Sequence, residues 1–248
     1  MPAEPQPPRL VAKPGAWNEL ALTLPVFLTY QLGVVFLNVR NATDVVTATL
    51  LDLAHGDRVT YLAITVAIGT AMVLVFGVLG EGRGISLRKV LQIVIEGTAY
   101  ALAMSSASAW LVGKMFASAP PPSASAPFAG LIMSFGAGFH EELAFRVVFF
   151  GLGAKLLVWL FARQKVGFVR ESAPLRFDAI LVMVSWALVS AATFSAVHYM
   201  GVLGDKFDLR TFAARGVLGL SLTLIYATRG FAAAVWTHSL YDAWVLVL

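Results

Sequence analysis

Cysteine is absent from the 248 residues, and charge is scarce. The first absence excludes disulfides, thiolate metal sites and a cysteine nucleophile, and leaves the redox compartment open. The second argues against an ordinary soluble domain: 13% of residues are charged, where about a quarter is usual. The first fifteen residues are rich in proline, carry Arg9 and Lys13, and have no apolar core. They read as a disordered tail, with no cleavable signal peptide evident. No internal repeat of the kind that transporters show is visible. What is abundant is apolar surface: 58% of residues are hydrophobic and the mean hydropathy is +0.78. The chain is therefore expected to be an all-α polytopic membrane protein. The net charge of +4 implies no nucleic-acid partner, because the basic residues crowd the loop ends as the positive-inside rule expects.

A spanning helix needs about 20 mostly apolar residues. Seven stretches qualify: 17–39, 59–80, 90–116, 128–162, 177–203, 209–228 and 231–248. The fourth exceeds one span, so a tilt, a kink near Gly136 and Gly138, an extension out of the bilayer, or an eighth hidden element is expected there. The predicted architecture is a bundle of about seven to eight transmembrane helices around a polar cavity. Residues 1–16 form the tail and 17–248 a single transmembrane domain, with a motif-bearing core over 128–248. Breaks fall at Gly80–Gly84, at Ala119–Ser123, across 164–176 and at Gly204–Lys206. Of the 18 Lys and Arg, ten fall with the tail and alternate loops and six on the opposite side. That bias favours an N-terminus on the cytoplasmic side.

Against that background, the polar residues within spans stand out. Each charge in a bilayer core costs about 2.5–3.5 kcal/mol on insertion scales, so such groups are kept for a polar cavity or for chemistry. Glu141, Glu142 and Arg146 lie in the fourth stretch. Glu142 and Arg146 are four apart, acid first, the favourable order for an ion pair on a helix. Glu141 points about 100° away. The natural division is a structural pair, Glu142–Arg146, and a working carboxylate, Glu141. Four-residue spacings recur in Phe194…His198 and His238…Asp242. The ring of Phe194 can wall His198, and Asp242 can accept a hydrogen bond from His238 and fix its tautomer.

Other polar residues read as ordinary structure. Lys155 can snorkel from the end of its helix. Glu96 is taken as an interfacial residue, with a supporting role near the site as the alternative. His55 belongs to a polar loop. His140 lies on another face from Glu142 and could at most tune the site. Ser134, Ser185, Ser190 and Ser195 stand in no nucleophile motif, which argues against a serine intramembrane protease. Gly136, Gly138 and the stretch 105–108 look like small-residue packing surfaces.

Taken together, Glu141-Glu142-x-x-x-Arg146, Phe194-x-x-x-His198 and His238-x-x-x-Asp242 resemble the three-motif signature of the CPBP intramembrane proteases. This is the CAAX-protease and bacteriocin-processing family, also called Abi. The resemblance covers about the last half of the chain, from Phe128 onward. It departs from the family pattern at Val147, where glycine is frequent, and at Asp242, where asparagine is common. An ionised aspartate cannot donate a hydrogen bond to an oxyanion. Asp242 is therefore either protonated or limited to orienting His238.

The resemblance implies a glutamate-type endopeptidase with no covalent intermediate and no required cofactor. Its substrate would be a membrane protein or lipidated peptide held in the lipid bilayer, with a CAAX-type or C-terminal sorting tail. In that reading Glu141 activates a water, His198 holds it, and His238 with Asp242 stabilises the oxyanion. Glu142, Arg146 and Phe194 support them. Three alternatives stay open. Glu141, His198 and His238 could hold a metal with one open position. The motifs could serve packing in a noncatalytic scaffold or chaperone. The acids could relay protons in a transporter, although the lack of a repeat makes this the weakest.

Overall fold

A computed structural model describes residues 16–37, 45–79, 86–115, 127–166, 174–200 and 204–247. The proline-rich tail and the breaks at Gly80–Gly84 and Ala119–Ser123 lie outside these residues, as does the middle of the 164–176 break. Within them every regular element is a helix: α1 (Ala16–Leu37), α2 (Val45–Leu53), α3 (Arg58–Leu79), α4 (Leu87–Met115), α5 (Pro127–Glu141), a π-helical stretch (Glu142–Leu152), α6 (Gly153–Ala162), α7 (Phe177–Val197), α8 (Leu209–Arg229) and α9 (Phe231–Val247). Five helices are long and apolar enough to cross a membrane: Asn18–Leu37, Leu87–Met115, Pro127–Ala162, Phe177–Val197 and Leu209–Arg229. In α3 the shorter apolar run is Arg58–Met72. Large apolar side chains such as Ile95, Trp110, Phe128 and Phe161 face outward, where lipid takes the place of a protein partner. The chain is a polytopic helical membrane protein.

The long fourth stretch is one continuous helix that changes from α to π at Glu142 and back at Gly153. Its two glycines are close-approach points. A Cβ on Gly138 would collide with Ser239 of α9, and one on Gly136 with the ring of Tyr30 of α1. The fifth stretch ends at Val197 and not at Leu203. His198 follows the helix, with its N–H on the Ser195 carbonyl at 3.3 Å, and the chain then turns. The sequence reading also missed the short helix α2.

Helix α9 lies at the centre, packed chiefly against α5 and α4. The main core joins Leu22, Val26 and Phe27 of α1 to Phe139 and to Phe231–Trp236. Polar ties fix the surrounding helices. Gln31 of α1 donates to the Thr47 hydroxyl at 3.1 Å and accepts from the Tyr61 hydroxyl, so α1, α2 and α3 share one buried polar cluster. Glu96 of α4 pairs with Arg229 at the end of α8. This settles Glu96 as a tie between helices away from the motif residues. Gly230 carries a φ of +104° between α8 and α9, a conformation open to glycine at little cost. Beside it, Glu19 of α1 accepts the Ala232 N–H at 2.6 Å, capping α9 from the other end of the chain.

Candidate active site

The three motifs come together at the junction of α5, the π stretch, α7 and α9. Glu141 is the last residue of α5, and Glu142 opens the π stretch. Single π turns replace i→i+4 bonds by i→i+5 bonds and recur at functional sites. The change of helix type falls between the two adjacent glutamates. Glu142 still reaches Arg146, with Oε2 3.1 Å from Nε. Both side chains are fully buried, so each charge depends on the other. Arg146 is further held by the Gly219 carbonyl at 3.4 Å and by the face of the Phe194 ring, 4.4 Å from its Cζ.

Both imidazoles are oriented through Nδ1. His198 Nδ1 lies 2.8 Å from the Phe194 carbonyl. A carbonyl can only accept, so Nδ1 carries the proton and donates. His238 Nδ1 donates to Glu142 Oε1 at 2.8 Å. This contact adds to the pairs that the spacing gave: Glu142 joins His238 to Arg146, one oxygen to each. Asp242 stands on the other edge of the ring, its Oδ2 3.4 Å from Nε2. Spacing along one helix could reveal the second contact. The first spans 96 residues and left no local signal.

With both Nδ1 atoms engaged, both Nε2 atoms face Glu141. Its Oε2 lies 3.8 Å from His198 Nε2 and 4.0 Å from His238 Nε2. Those separations exceed a direct hydrogen bond and suit a bridging water. Oε2 is buried and has no hydrogen-bond partner among the described residues. The Phe194 ring stands edge-on to both imidazoles, with centroids 5.1 and 6.0 Å away. Exposure falls inward. The side chains of His198 and Asp242 are 26% and 22% exposed, whereas that of Glu142 is 0%. The wet edge therefore lies at the C-terminal ends of α7 and α9.

Two further supports were not singled out in the sequence. Ser195 donates to the Phe212 carbonyl at 2.8 Å, tying the end of α7 to α8. The Asp205 N–H donates to the His198 carbonyl at 2.9 Å, folding the next loop back on the histidine. His140 lies away from the three motifs. It bonds its own helix through Nδ1 and the Gly136 carbonyl at 3.0 Å and packs among Phe27, Tyr30 and Phe139. Among the described residues no group of three or more histidines and carboxylates is arranged to hold a metal ion.

No curated protein and no solved structure matches the chain. Residues 123–244 match the family model described as type II CAAX prenyl endopeptidase, Rce1-like. The matched region contains every motif residue of the cluster, from Glu141 to Asp242. That region, just under half of the chain, is similar to the Rce1-like type II CAAX prenyl endopeptidases of the CPBP family, a family of proteases.

Proposed function

We propose that the chain is a glutamate-type endopeptidase that cuts a membrane-tethered protein or lipidated peptide by direct attack of water. The observation that carries the reading is the placement of Glu141 Oε2, buried, without a hydrogen-bond partner among the described residues, and facing Nε2 of both histidines. Glu141 takes a proton from a water held between its carboxylate and His198 Nε2, and the water oxygen attacks the scissile carbonyl. His198 receives a hydrogen bond from that water at Nε2, because Nδ1 already donates to Phe194. His238 serves the other side. Held at Nδ1 by Glu142, it presents Nε2 beside Asp242 and Glu141. Two carboxylates facing that nitrogen call for a proton among the three groups, and an Nε2–H donates to the oxyanion as it forms. Asp242 then needs no proton of its own to serve the site. The proton taken by Glu141 passes to the leaving amine, so no covalent enzyme intermediate forms.

The substrate is a segment carrying a CAAX-type or C-terminal sorting tail. The protein resides in a bacterial plasma membrane with its N-terminus in the cytoplasm, as one transmembrane domain over 17–248 with its working core over 128–248. The test is cleavage of a lipidated peptide by the full chain reconstituted in liposomes. Glu141→Gln should lower the rate by about 10²–10⁴-fold, the usual weight of a general base. Cleavage by the variant at the wild-type rate would overturn the assignment. Activity should also survive a chelator such as EDTA. Loss with EDTA, restored by added zinc, would instead favour a metal held by Glu141, His198 and His238.

A further inference from the structure

Arg215 lies in the second turn of α8, beside the wet edge of the site. Its Nη2 pairs with Asp205 Oδ2 at 2.6 Å, and its Cζ stands 5.5 Å from the centroid of the Tyr199 ring. Its Nη1 is buried with no hydrogen-bond partner among the described residues. Two observations connect it to the histidine. Tyr199 follows His198 in the chain, and the Asp205 N–H holds the His198 carbonyl. One turn further along α8, the Gly219 carbonyl supports Arg146. The proton transfers described above make no use of this cation.

We propose that Arg215 anchors the terminal carboxylate of the substrate peptide, and that Asp205 occupies its guanidinium until the peptide arrives. A guanidinium offers five donors in a planar fork that matches a carboxylate two bonds at a time. Here one donor end is engaged by a carboxylate and the other is withdrawn from water without an acceptor, an arrangement that an incoming anion completes. The resident carboxylate is easily displaced, since the Asp205 side chain is 56% exposed and belongs to a loop, whereas Arg215 is 25% exposed and belongs to a helix. The guanidinium is tied through Asp205 to the His198 carbonyl, so only a substrate cut close to its free end can reach it. The inference rests on the protease reading and narrows it to short leaving peptides over long sorting tails.

The experiment compares two lipidated peptides, identical except for a C-terminal acid or amide, on the full chain in nanodiscs. Wild type should prefer the acid in kcat/KM by about tenfold or more, the scale of a charge-assisted hydrogen bond. R215Q should bring the acid-to-amide ratio to about one. D205N should raise the ratio through a lower KM for the acid, because it removes the competitor. A pair that merely ties the loop to α8 predicts the same direction of change in both variants and an unaltered ratio. That outcome, or no preference in wild type, overturns the proposal. Should R215Q not fold, the D205N arm decides. If wild type cuts neither peptide, the protease reading fails for these substrates. Binding of the two peptides to E141Q then decides the anchor alone: tighter binding of the acid, lost on adding R215Q, supports it, and equal binding overturns it.

Discussion

Glu142 is the residue on which two kinds of cost meet. One carboxylate oxygen faces Arg146 and the other accepts from His238 Nδ1. An amide keeps one acceptor and turns its NH₂ toward a second donor. Glu142→Gln should therefore destabilise the protein by about 3–5 kcal/mol, the cost of a buried charge left unpaired, read as a lower unfolding midpoint in detergent. It should also slow cleavage, because His238 loses the contact that fixes its ring. Glu141→Gln should leave the unfolding midpoint near that of wild type while cleavage is lost, since Oε2 has no hydrogen bond to forfeit among the described residues. Equal midpoints for both variants, with activity lost only on changing Glu142, would exchange the roles of the two glutamates. Their adjacency hides the difference in the sequence, where both are acids in an apolar run. The difference lies in what faces them across the bundle, which no local spacing encodes.

At the scale of elements, the site depends on how closely α5 and α9 approach. Beside Gly138, a Cβ would meet the Ser239 backbone nitrogen at 2.8 Å as well as its side chain. Backbone cannot rotate out of the way, so Gly138→Ala should cost about 1–3 kcal/mol and should lower activity by moving Glu141 relative to His238. Gly113→Ala makes a control in α4, where nothing lies within 4 Å of the added carbon. It should be neutral or stabilising by about 0.4–1 kcal/mol. A Gly138→Ala variant as stable as the control would remove close packing as the reason for the glycine.

Much of this was legible in the sequence, though unevenly. The apolar runs marked most helices to within a few residues, because lipid demands long unbroken hydrophobic stretches. Three polar spacings marked the site, because polar residues in lipid are costly. The π stretch was not legible: its residues, from Glu142 to Leu152, satisfy an α pattern equally well. Nor was the end of α7, since 198–203 is as apolar as a continuing helix and only the turn after His198 ends it. The tie between Glu96 and Arg229 joins residues 133 positions apart, beyond the reach of any periodicity.

For the whole molecule, the question is which side of the membrane the site faces. The wet edge lies at the C-terminal ends of α7 and α9. On the proposed orientation, with α3 and α9 crossing besides the five long spans, both helices would run outward and the site would open away from the cytoplasm. A cysteine introduced into this cysteine-free chain reports the side directly. Gly204 is a poor position, because a Cβ there would crowd the Tyr199 and Met200 backbone at 2.7–2.9 Å. Lys206, exposed in the same loop, is a better one. Lys206→Cys should react with an impermeant maleimide on intact spheroplasts. Reaction confined to inverted vesicles would reverse the orientation and place the substrates on the cytoplasmic side.

The cap that Glu19 places on α9 bears on how the protein is made. The acceptor is among the first residues of α1, and its donor, Ala232, is 213 residues later. A ribosome delivers α1 to the membrane long before α9 exists. The helix that carries His238 gains this support only once the 213 residues from Glu19 to Ala232 have been added. A chain that stops short of α9 therefore lacks both the cap and His238.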